Sequence, residues 1–311
     1  MLLQSIARAL EWTTNLTSIV YSPHQHHIPV EAKVVRDLVP RGFRGRRGSQ
    51  ARLRDNSRNS LDHPFRQLIG AIFVAQYTGI RELRVEAFEE TDPGNPFTFA
   101  FFDFPGSTHL QAGEFLFQNL ERCILNIQIS CRKHDVTLWT SDDIAQQRLA
   151  NLNHLLAFAD GLRYLAFHIT ASDKSHVFPA AMALRPEKSM YRRLGLQRTW
   201  PKLRSVSLGG IYAEEKDFLD LINRHRRTLM SLAFRQCTLY SGTWAAVVDE
   251  VVYNTKFLDF VLDCVDEPLS TMSHAVSEDV HDPEKWKYEG YLEVSKSGER
   301  GFVGPRVEAD A

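Results

Sequence analysis

The chain has 311 residues, of which 24% are charged, and its formal net charge is -1. This near-neutral balance gives no indication of a polyanion or a membrane surface as a partner. Apolar residues make up 43% of the chain, which is enough to bury a large core. The longest apolar stretch, Leu68 to Tyr77, is too short to span a bilayer, and Met1 to Trp12 lacks the pattern of a secretion signal. We therefore expect an ordinary soluble protein without a membrane partner.

Sets of apolar residues with helical spacing recur along the chain. Their members stand three or four residues apart, so each set predicts one buried helix face. Strand-like segments separate these sets, which predicts an alternation of helices and strands from end to end. In chain order the helix faces are Leu3/Ile6/Leu10, Leu68/Ile72/Phe73, Leu149/Leu152/Leu156/Ala159, Phe218/Leu221/Ile222 and Trp244/Val247/Val248/Val251.

The strand-like segments share one apolar register. The copy from Leu229 to Leu239 fits the leucine-rich-repeat pattern L-x-x-L-x-L-x-x-(N/C)-x-L, with Cys237 at the Asn/Cys position. Only the last two intervals between copies fall in the usual range of about 20 to 29 residues, because the earlier intervals hold a helix and an insertion. The other copies are Leu16/Ile19/Tyr21, Ile80/Leu83/Val85, Leu120/Cys123/Leu125, Leu162/Leu165/Phe167, Leu203/Val206/Leu208 and Phe257/Phe260/Leu262.

These patterns predict an α/β fold of the solenoid class. We expect an irregular leucine-rich-repeat-like solenoid over residues 1–268, in which helices alternate with parallel strands that form a curved sheet. An Arg-rich insertion occupies residues 41–59. Residues 269–311 form a polar tail, in which Trp286 to Tyr291 would cap the last repeat and the part from Ser295 onward would be disordered.

Stacked strands would present every second side chain on one concave surface, because strand side chains alternate between two faces. The side chains at these positions are polar, of mixed sign and partly aromatic, which favours a protein partner over a nucleic acid. The candidate partner-binding residues are Arg84, Glu86, Arg122, Asn126, Tyr164, His168, Arg235, Asp259 and Asp263.

The segment from Arg41 to Arg58 is the sharpest charge feature, with seven arginines and a single acidic residue, Asp55. Arg/Gly tracts that contain an aromatic residue can bind RNA through phosphate contacts and stacking. The other interpretation is a solvated insertion that the fold tolerates. The sequence leaves both interpretations open. RNA association through this segment is therefore the alternative to protein binding as the function of the chain.

The sequence predicts no catalytic residue, cofactor or metal. The motifs G-x-S-x-G, H-E-x-x-H and the two glycine-rich phosphate loops are absent from it. His24, His26 and His27 cluster in one segment, but structural zinc usually takes four ligands that include cysteine, and the first cysteine is Cys123. We therefore interpret the histidine segment as a polar loop and the protein as non-enzymatic.

Cysteine usage predicts a reduced, intracellular protein of the cytoplasm or nucleus. The cysteines are few for the length of the chain, and two of them occupy apolar or repeat-register positions. The four residues, all predicted to be free thiols, are Cys123, Cys131, Cys237 and Cys264.

Residues 145–265 resemble the leucine-rich-repeat region of filamentous-fungal F-box proteins. The resemblance is carried by Trp200-Pro-Lys-Leu-Arg-Ser-Val-Ser-Leu208, Phe218-Leu-Asp-Leu-Ile222, His225-Arg-Arg-Thr-Leu229 and Leu239-Tyr-Ser-Gly-Thr-Trp244 with Val247-Val-Asp249. In that family an F-box binds the adaptor subunit of a cullin-type ubiquitin ligase, and the repeats receive a substrate. The resemblance therefore implies a substrate-recognition role.

No segment that resembles an F-box, with its Leu-Pro-x-Glu start, precedes Leu16 in this sequence. We therefore expect that the purified chain does not bind the ligase adaptor directly. Size-exclusion chromatography of the mixture checks this expectation, and a stable one-to-one complex would contradict it.

Overall fold

The structure is a computed structural model that describes residues 2–13, 15–22, 64–87, 97–104, 106–129, 143–171, 189–254, 259–263, 291–294 and 300–303. Helices and strands alternate along most of this length. In chain order they are α1 (Leu2–Trp12), β1 (Ser18–Tyr21), α2 (Pro64–Val74), β2 (Glu82–Val85), a 3-10 helix (Phe99–Phe102), α3 (Ser107–Phe117), β3 (Arg122–Ile129), α4 (Asp143–Phe158), β4 (Tyr164–Ala171), α5 (Met190–Arg193), β5 (Ser205–Gly209), β6 (Tyr212–Glu214), α6 (Glu215–His225), β7 (Ser231–Arg235), β8 (Thr238–Ser241), α7 (Trp244–Asn254), β9 (Asp259–Asp263), β10 (Tyr291–Val294) and β11 (Arg300–Val303).

Nine strands of the described ranges form the main sheet, in the order β1-β2-β3-β4-β5-β7-β9-β10-β11. The first seven of these strands pair in parallel, whereas β10 pairs antiparallel with both β9 and β11. Strands β6 and β8 form a separate parallel pair. The chain is therefore a mixed α/β protein with a mostly parallel sheet, which confirms the predicted alternation of helices and parallel strands.

The strand register predicted from the sequence is confirmed. Each central apolar position pairs with the same position of the next strand, and all seven side chains are at most 6% exposed. These seven side chains form a row on the face of the sheet against which the helices pack. It runs Ile19, Leu83, Cys123, Leu165, Val206, Leu232 and Phe260.

A ladder of backbone carbonyls aligns the strand starts. The carbonyl oxygen of the residue before one strand accepts two hydrogen bonds from backbone N–H groups at the start of the neighbouring strand. The N to O distances are 2.7 to 3.1 Å. Arg81 O, for example, accepts from the N–H groups of Glu121 and Arg122. We call this the carbonyl ladder, and its acceptors are Thr17, Arg81, Glu121, Arg163 and Arg204.

The helices pack in chain order, and their apolar faces join the sheet in one core. Helix α1 packs on α2, α2 on α3, α3 on α4, and α6 on α7. The predicted faces of α4 and α6 are buried in this core. Gly113 of α3 allows a close approach of α4, since a Cβ atom there would stand 2.9 Å from Leu155 Cδ2.

Two predicted features differ from the structure. Leu16 is predicted to be buried at the first register position but is 37% exposed, because β1 stands at the edge of the described sheet and has a neighbour only on the β2 side. Strand β11 lies in the tail segment predicted to be disordered, where it pairs with β10.

Other predicted features lie outside the described residues, and the structure does not test them. They include the first register position of the last repeat, the Arg-rich insertion and the histidine segment, together with two cysteines and part of the tail cluster. The residues concerned are Phe257, residues 41–59, His24, His26, His27, Cys131, Cys264, Trp286 and Tyr288.

The strand register predicts an alternating response to truncation in β7. Leu232→Ala is expected to lower the free energy of unfolding by about 2 to 5 kcal/mol, because it leaves a cavity in the core. Arg235→Ala is expected to lower it by less than about 1 kcal/mol, because the Arg235 side chain and its ion pair with Asp263 are solvent-exposed. Chemical denaturation measures both values, and equal losses would contradict the register.

Candidate functional site

The face of the sheet opposite the helices carries all nine candidate partner-binding residues. We call the outward side chains of β2, β3, β4, β5, β7 and β9, with Glu86 directly after β2, the sheet face. One row of it, at the strand starts, is Glu82, Arg122, Tyr164, Ser205, Ser231 and Asp259; another, near the strand ends, is Asn126, His168, Gly209, Arg235 and Asp263. Of the nine candidates Arg84, Arg122, Arg235 and Asp259 are exposed, and Glu86, Asn126, Tyr164, His168 and Asp263 are half-buried.

The row at the strand starts combines charge with an aromatic ring. The guanidinium of Arg122 lies over the ring of Tyr164, 4.9 Å from its centroid. Arg122 Nε also stands 3.7 Å from a carboxylate oxygen of Glu82. A guanidinium held over an aromatic face keeps its charge and its edge available to a partner.

The side chains of the carbonyl ladder extend this row beyond the strands. Glu121 lies between Arg81 and Arg163, with Nε to carboxylate distances of 3.9 and 3.4 Å. A shallow pocket of about 330 Å³ opens here. Its lining residues are Thr17, Arg81, Glu82, Glu121, Arg122, Arg163 and Tyr164.

Sequence reasoning missed these ladder side chains. The signal was a charged residue directly after the first apolar position of four successive register copies. It is present in Ile80-Arg81, Leu120-Glu121, Leu162-Arg163 and Leu203-Arg204.

His168 is the most constrained polar side chain of the row near the strand ends. Its Nε2 lies 2.8 Å from Ser207 Oγ, which joins β4 to β5. Gly209 leaves room for the imidazole, since a Cβ atom there would stand 2.9 Å from His168 Cδ2. Burial lowers the pKa of His168, and the positive charge of Arg235 lowers it further. The ring is therefore neutral at neutral pH and serves as a hydrogen-bonding group.

The residue types of the His168 and Ser207 pair also occur in hydrolytic sites, so we compared its surroundings among the described residues with such a site. A serine nucleophile requires a base that is itself oriented, usually by a carboxylate, and donors for the oxyanion. Within the part of the chain that the structure describes, no carboxylate hydrogen-bonds to His168. Its neighbours in the row are Asn126, whose amide donates to Val85 O at 2.6 Å, and Gly209. The pair acts as a polar link between strands of the sheet face.

Charge changes along the sheet face. Arg81, Arg122 and Arg163 lie at one end, whereas Asp259 and Asp263 belong to β9 at the other. Arg235 Nη1 stands 3.4 Å from Asp263 Oδ2 across β7 and β9. The end at β9 is therefore acidic, whereas Glu82, Glu86 and Glu121 partly balance the arginines at the other end.

The motifs that carry the family resemblance form buried structural contacts. His225 is 1% exposed, and its ring stacks against that of Trp200. His225 Nε2 accepts the N–H of Trp200 at 3.0 Å, and Nδ1 donates to Leu221 O at 2.9 Å. These bonds require a neutral ring with its proton on Nδ1. Trp200 Nε1 donates to Leu156 O at 3.1 Å, so the pair joins α6 to α4.

A second buried polar contact holds the start of α6. Asp217 is 3% exposed and accepts hydrogen bonds from Ser189 Oγ at 2.7 Å and from Arg192 Nε at 2.8 Å. It also accepts from Glu214 N at 3.2 Å, as one half of a capping box. The acidic residues at this helix start therefore have a structural role.

Of the predicted thiols, the structure describes Cys123 and Cys237. Both are buried and free of disulfide bonds. Burial raises the pKa of each thiol to about 12, so neither is ionised at neutral pH.

The sequence was compared with protein-family models and with curated proteins. No protein-family model matches the chain, and no curated protein matches it significantly.

Among the described residues, no group of three or more His, Cys, Asp or Glu side chains is arranged to hold a metal ion. Nor does any helix in the described ranges have both the length and the apolar character needed to cross a membrane.

The buried imidazole of His225 predicts a loss of stability in mild acid. Burial lowers its pKa below the ordinary value of 6.5, and Arg224 lowers it further, while the hydrogen bond to Leu221 opposes both. The unfolded chain therefore binds more protons than the folded chain as the pH falls below about 6.5, and the free energy of unfolding decreases there.

Urea denaturation of the wild type and His225→Gln between neutral pH and about pH 5 measures this slope. The variant is expected to be less stable at neutral pH by about 1 to 3 kcal/mol, because the Trp200 N–H loses its acceptor. It is also expected to have a shallower dependence on pH than the wild type. Parallel curves for the two proteins would contradict the prediction.

Proposed function

We propose that this chain is an irregular leucine-rich-repeat-like solenoid that acts as a non-enzymatic scaffold and binds a protein partner through its sheet face. The observation that carries the proposal is the position of all nine candidate residues on one continuous face, opposite the packed helices. Such side chains are not needed for the core, so they are available for recognition.

Three features support the repeat interpretation. Successive strands pair in chain order, and successive helices pack in chain order, as in repeats that contact mainly their neighbours. The apolar register is shared by the paired strands. Cys237 Sγ donates to Leu208 O in the preceding strand unit at 3.5 Å, which links two units at the Asn/Cys position of the repeat pattern.

The composition of the sheet face supports a protein partner. Arginine and tyrosine are enriched at protein interfaces, and the face carries Arg84, Arg122, Arg235 and Tyr164. The pair of Arg122 and Tyr164 offers an aromatic ring and a cation in one place. A partner can thus bury a half-buried aromatic group and also form charge-assisted hydrogen bonds.

We further propose that the partner is a substrate recruited for ubiquitylation. The support is the resemblance to F-box repeat regions, whose characteristic residues here form the contacts between Trp200, His225 and Leu221. The alternative of RNA association rests on residues 41–58, which lie outside the described residues, and it stays a sequence prediction.

Affinity capture from a native extract, followed by mass spectrometry, tests protein binding. The double variant Arg84→Glu/Arg235→Glu is expected to lower recovery of the partner at least about tenfold, because each change reverses a charge on the sheet face. The matched control is Arg8→Glu/Arg198→Glu, which reverses two exposed charges that are not part of the sheet face.

The same experiment separates protein binding from RNA binding. Nuclease treatment is expected to leave the partner bound, and a rise in salt is expected to weaken binding far less than it weakens phosphate contacts. Recovery that survives the Arg84 and Arg235 changes, or that disappears with nuclease, would contradict the proposal.

A further inference from the structure

Four arginines lie at or directly before the starts of neighbouring parallel strands. Arg81, Arg163 and Arg204 belong to the carbonyl ladder, and Arg122 is the first residue of β3. We call these four side chains the arginine rim. Neighbouring strands lie about 4.8 Å apart, so the backbone places one member of the rim at the start of each of β2, β3, β4 and β5.

We propose that the arginine rim binds an acidic, extended segment of the protein partner through Arg122, Arg163 and Arg204. This inference rests on the proposed function, because it assumes that the partner is a protein. It adds the chemistry of the segment and the place where it binds.

The rim is only partly neutralised by the chain's own acids. Glu82 stands 3.7 Å from Arg122, and Glu121 stands 3.9 Å from Arg81 and 3.4 Å from Arg163. All three of these contacts are made by the Nε atom of the arginine. Solvent-accessible ion pairs of this kind contribute little to stability, so a partner's carboxylate can replace them at little cost.

The terminal nitrogens differ in their availability. Arg81 Nη1 is occupied, since it donates to Thr78 O at 2.6 Å. Arg122, Arg163 and Arg204 have no hydrogen-bond partner for their terminal nitrogens in the described ranges, and Arg204 there has no ion-pair partner either. Arg163 and Arg204 start adjacent strands, because Arg204 N donates to Arg163 O at 2.8 Å. This adjacent pair is the strongest anchor for a carboxylate, which a guanidinium binds with two parallel hydrogen bonds.

The geometry of the rim fits a peptide. Alternate strands are separated by about 10 Å, and a polyproline II segment brings every third side chain to the same side at intervals of about 9 Å. Acidic residues at every third position of such a segment can therefore reach Arg122 and Arg204, which are two strands apart.

The same features disfavour a nucleic acid. Glu82 and Glu121 interrupt the positive charge, whereas a nucleic-acid backbone carries a negative charge at every phosphate and favours an uninterrupted basic surface. Arg122 also occupies one face of the Tyr164 ring, which removes that face as a platform for base stacking.

Fluorescence polarisation with a labelled peptide of five Glu-Pro-Ser repeats tests the inference on the full chain. The matched peptide of five Gln-Pro-Ser repeats has the same length and backbone preference but no charge. We expect the acidic peptide to bind at least about tenfold more tightly than the neutral peptide. Equal binding of the two peptides would overturn the proposal.

Matched variants locate the binding site. Arg163→Gln/Arg204→Gln is expected to weaken binding of the acidic peptide at least about tenfold, because it removes the two anchoring guanidinium groups. Arg8→Gln/Arg198→Gln removes the same charge elsewhere and is expected to change binding by less than about twofold. An unchanged thermal midpoint for both double variants shows that the fold is intact. If both double variants weaken binding equally, the proposal is overturned.

Two further measurements distinguish a protein partner from RNA, and distinguish failure of the rim proposal from failure of the proposed function. A labelled oligouridylate of similar length that binds more tightly than the acidic peptide, and loses binding with Arg163→Gln/Arg204→Gln, would overturn the proposal in favour of RNA. A captured protein partner that still binds Arg163→Gln/Arg204→Gln but not Arg84→Glu/Arg235→Glu would overturn the rim proposal alone. In that case the sheet face would remain the binding surface.

Discussion

The carbonyl ladder is the constraint on which the rest of this structure depends. Each ladder carbonyl accepts two hydrogen bonds from N–H groups at the start of the neighbouring strand. These bonds fix the position of one strand along the other. A shift of one residue would turn the whole strand over, because strand side chains alternate between two faces. The carbonyl ladder therefore determines both which side chains enter the core and which side chains form the sheet face. Leu232 and Arg235 owe their opposite environments to the same alignment.

The helices of the described ranges complete this arrangement by covering one side of the sheet. Their contacts run between neighbours in the chain, so a change in one unit is felt mainly by the units beside it. The hydrogen bonds of Trp200 and His225 are an exception, because they tie α6 to a residue of α4. This contact explains why His225 is buried in the core. It also explains why protonation of His225 lowers the stability of the fold.

The sequence predicted the strand register and the sheet face, because period-two burial repeats in every strand and places the same apolar types at the same position. It did not predict α3, whose buried face includes Ala112 and Gly113 and therefore carries little hydrophobic signal. Nor did it predict that Trp200 and His225 would meet, since that contact depends on how α6 packs. Three members of the arginine rim, Arg81, Arg163 and Arg204, were missed because charged residues after an apolar position look like ordinary solvated positions until the strands are aligned.

The carbonyl ladder is made of main-chain atoms, and this has an evolutionary consequence. Any residue type can supply the accepting carbonyl, so selection for folding places little restriction on the side chains that project from it. Thr17, Arg81, Glu121, Arg163 and Arg204 already differ in size and charge while their carbonyls accept equivalent bonds. Descendants of this chain can therefore acquire a new specificity at the strand starts by point mutation, without a compensating change in the core.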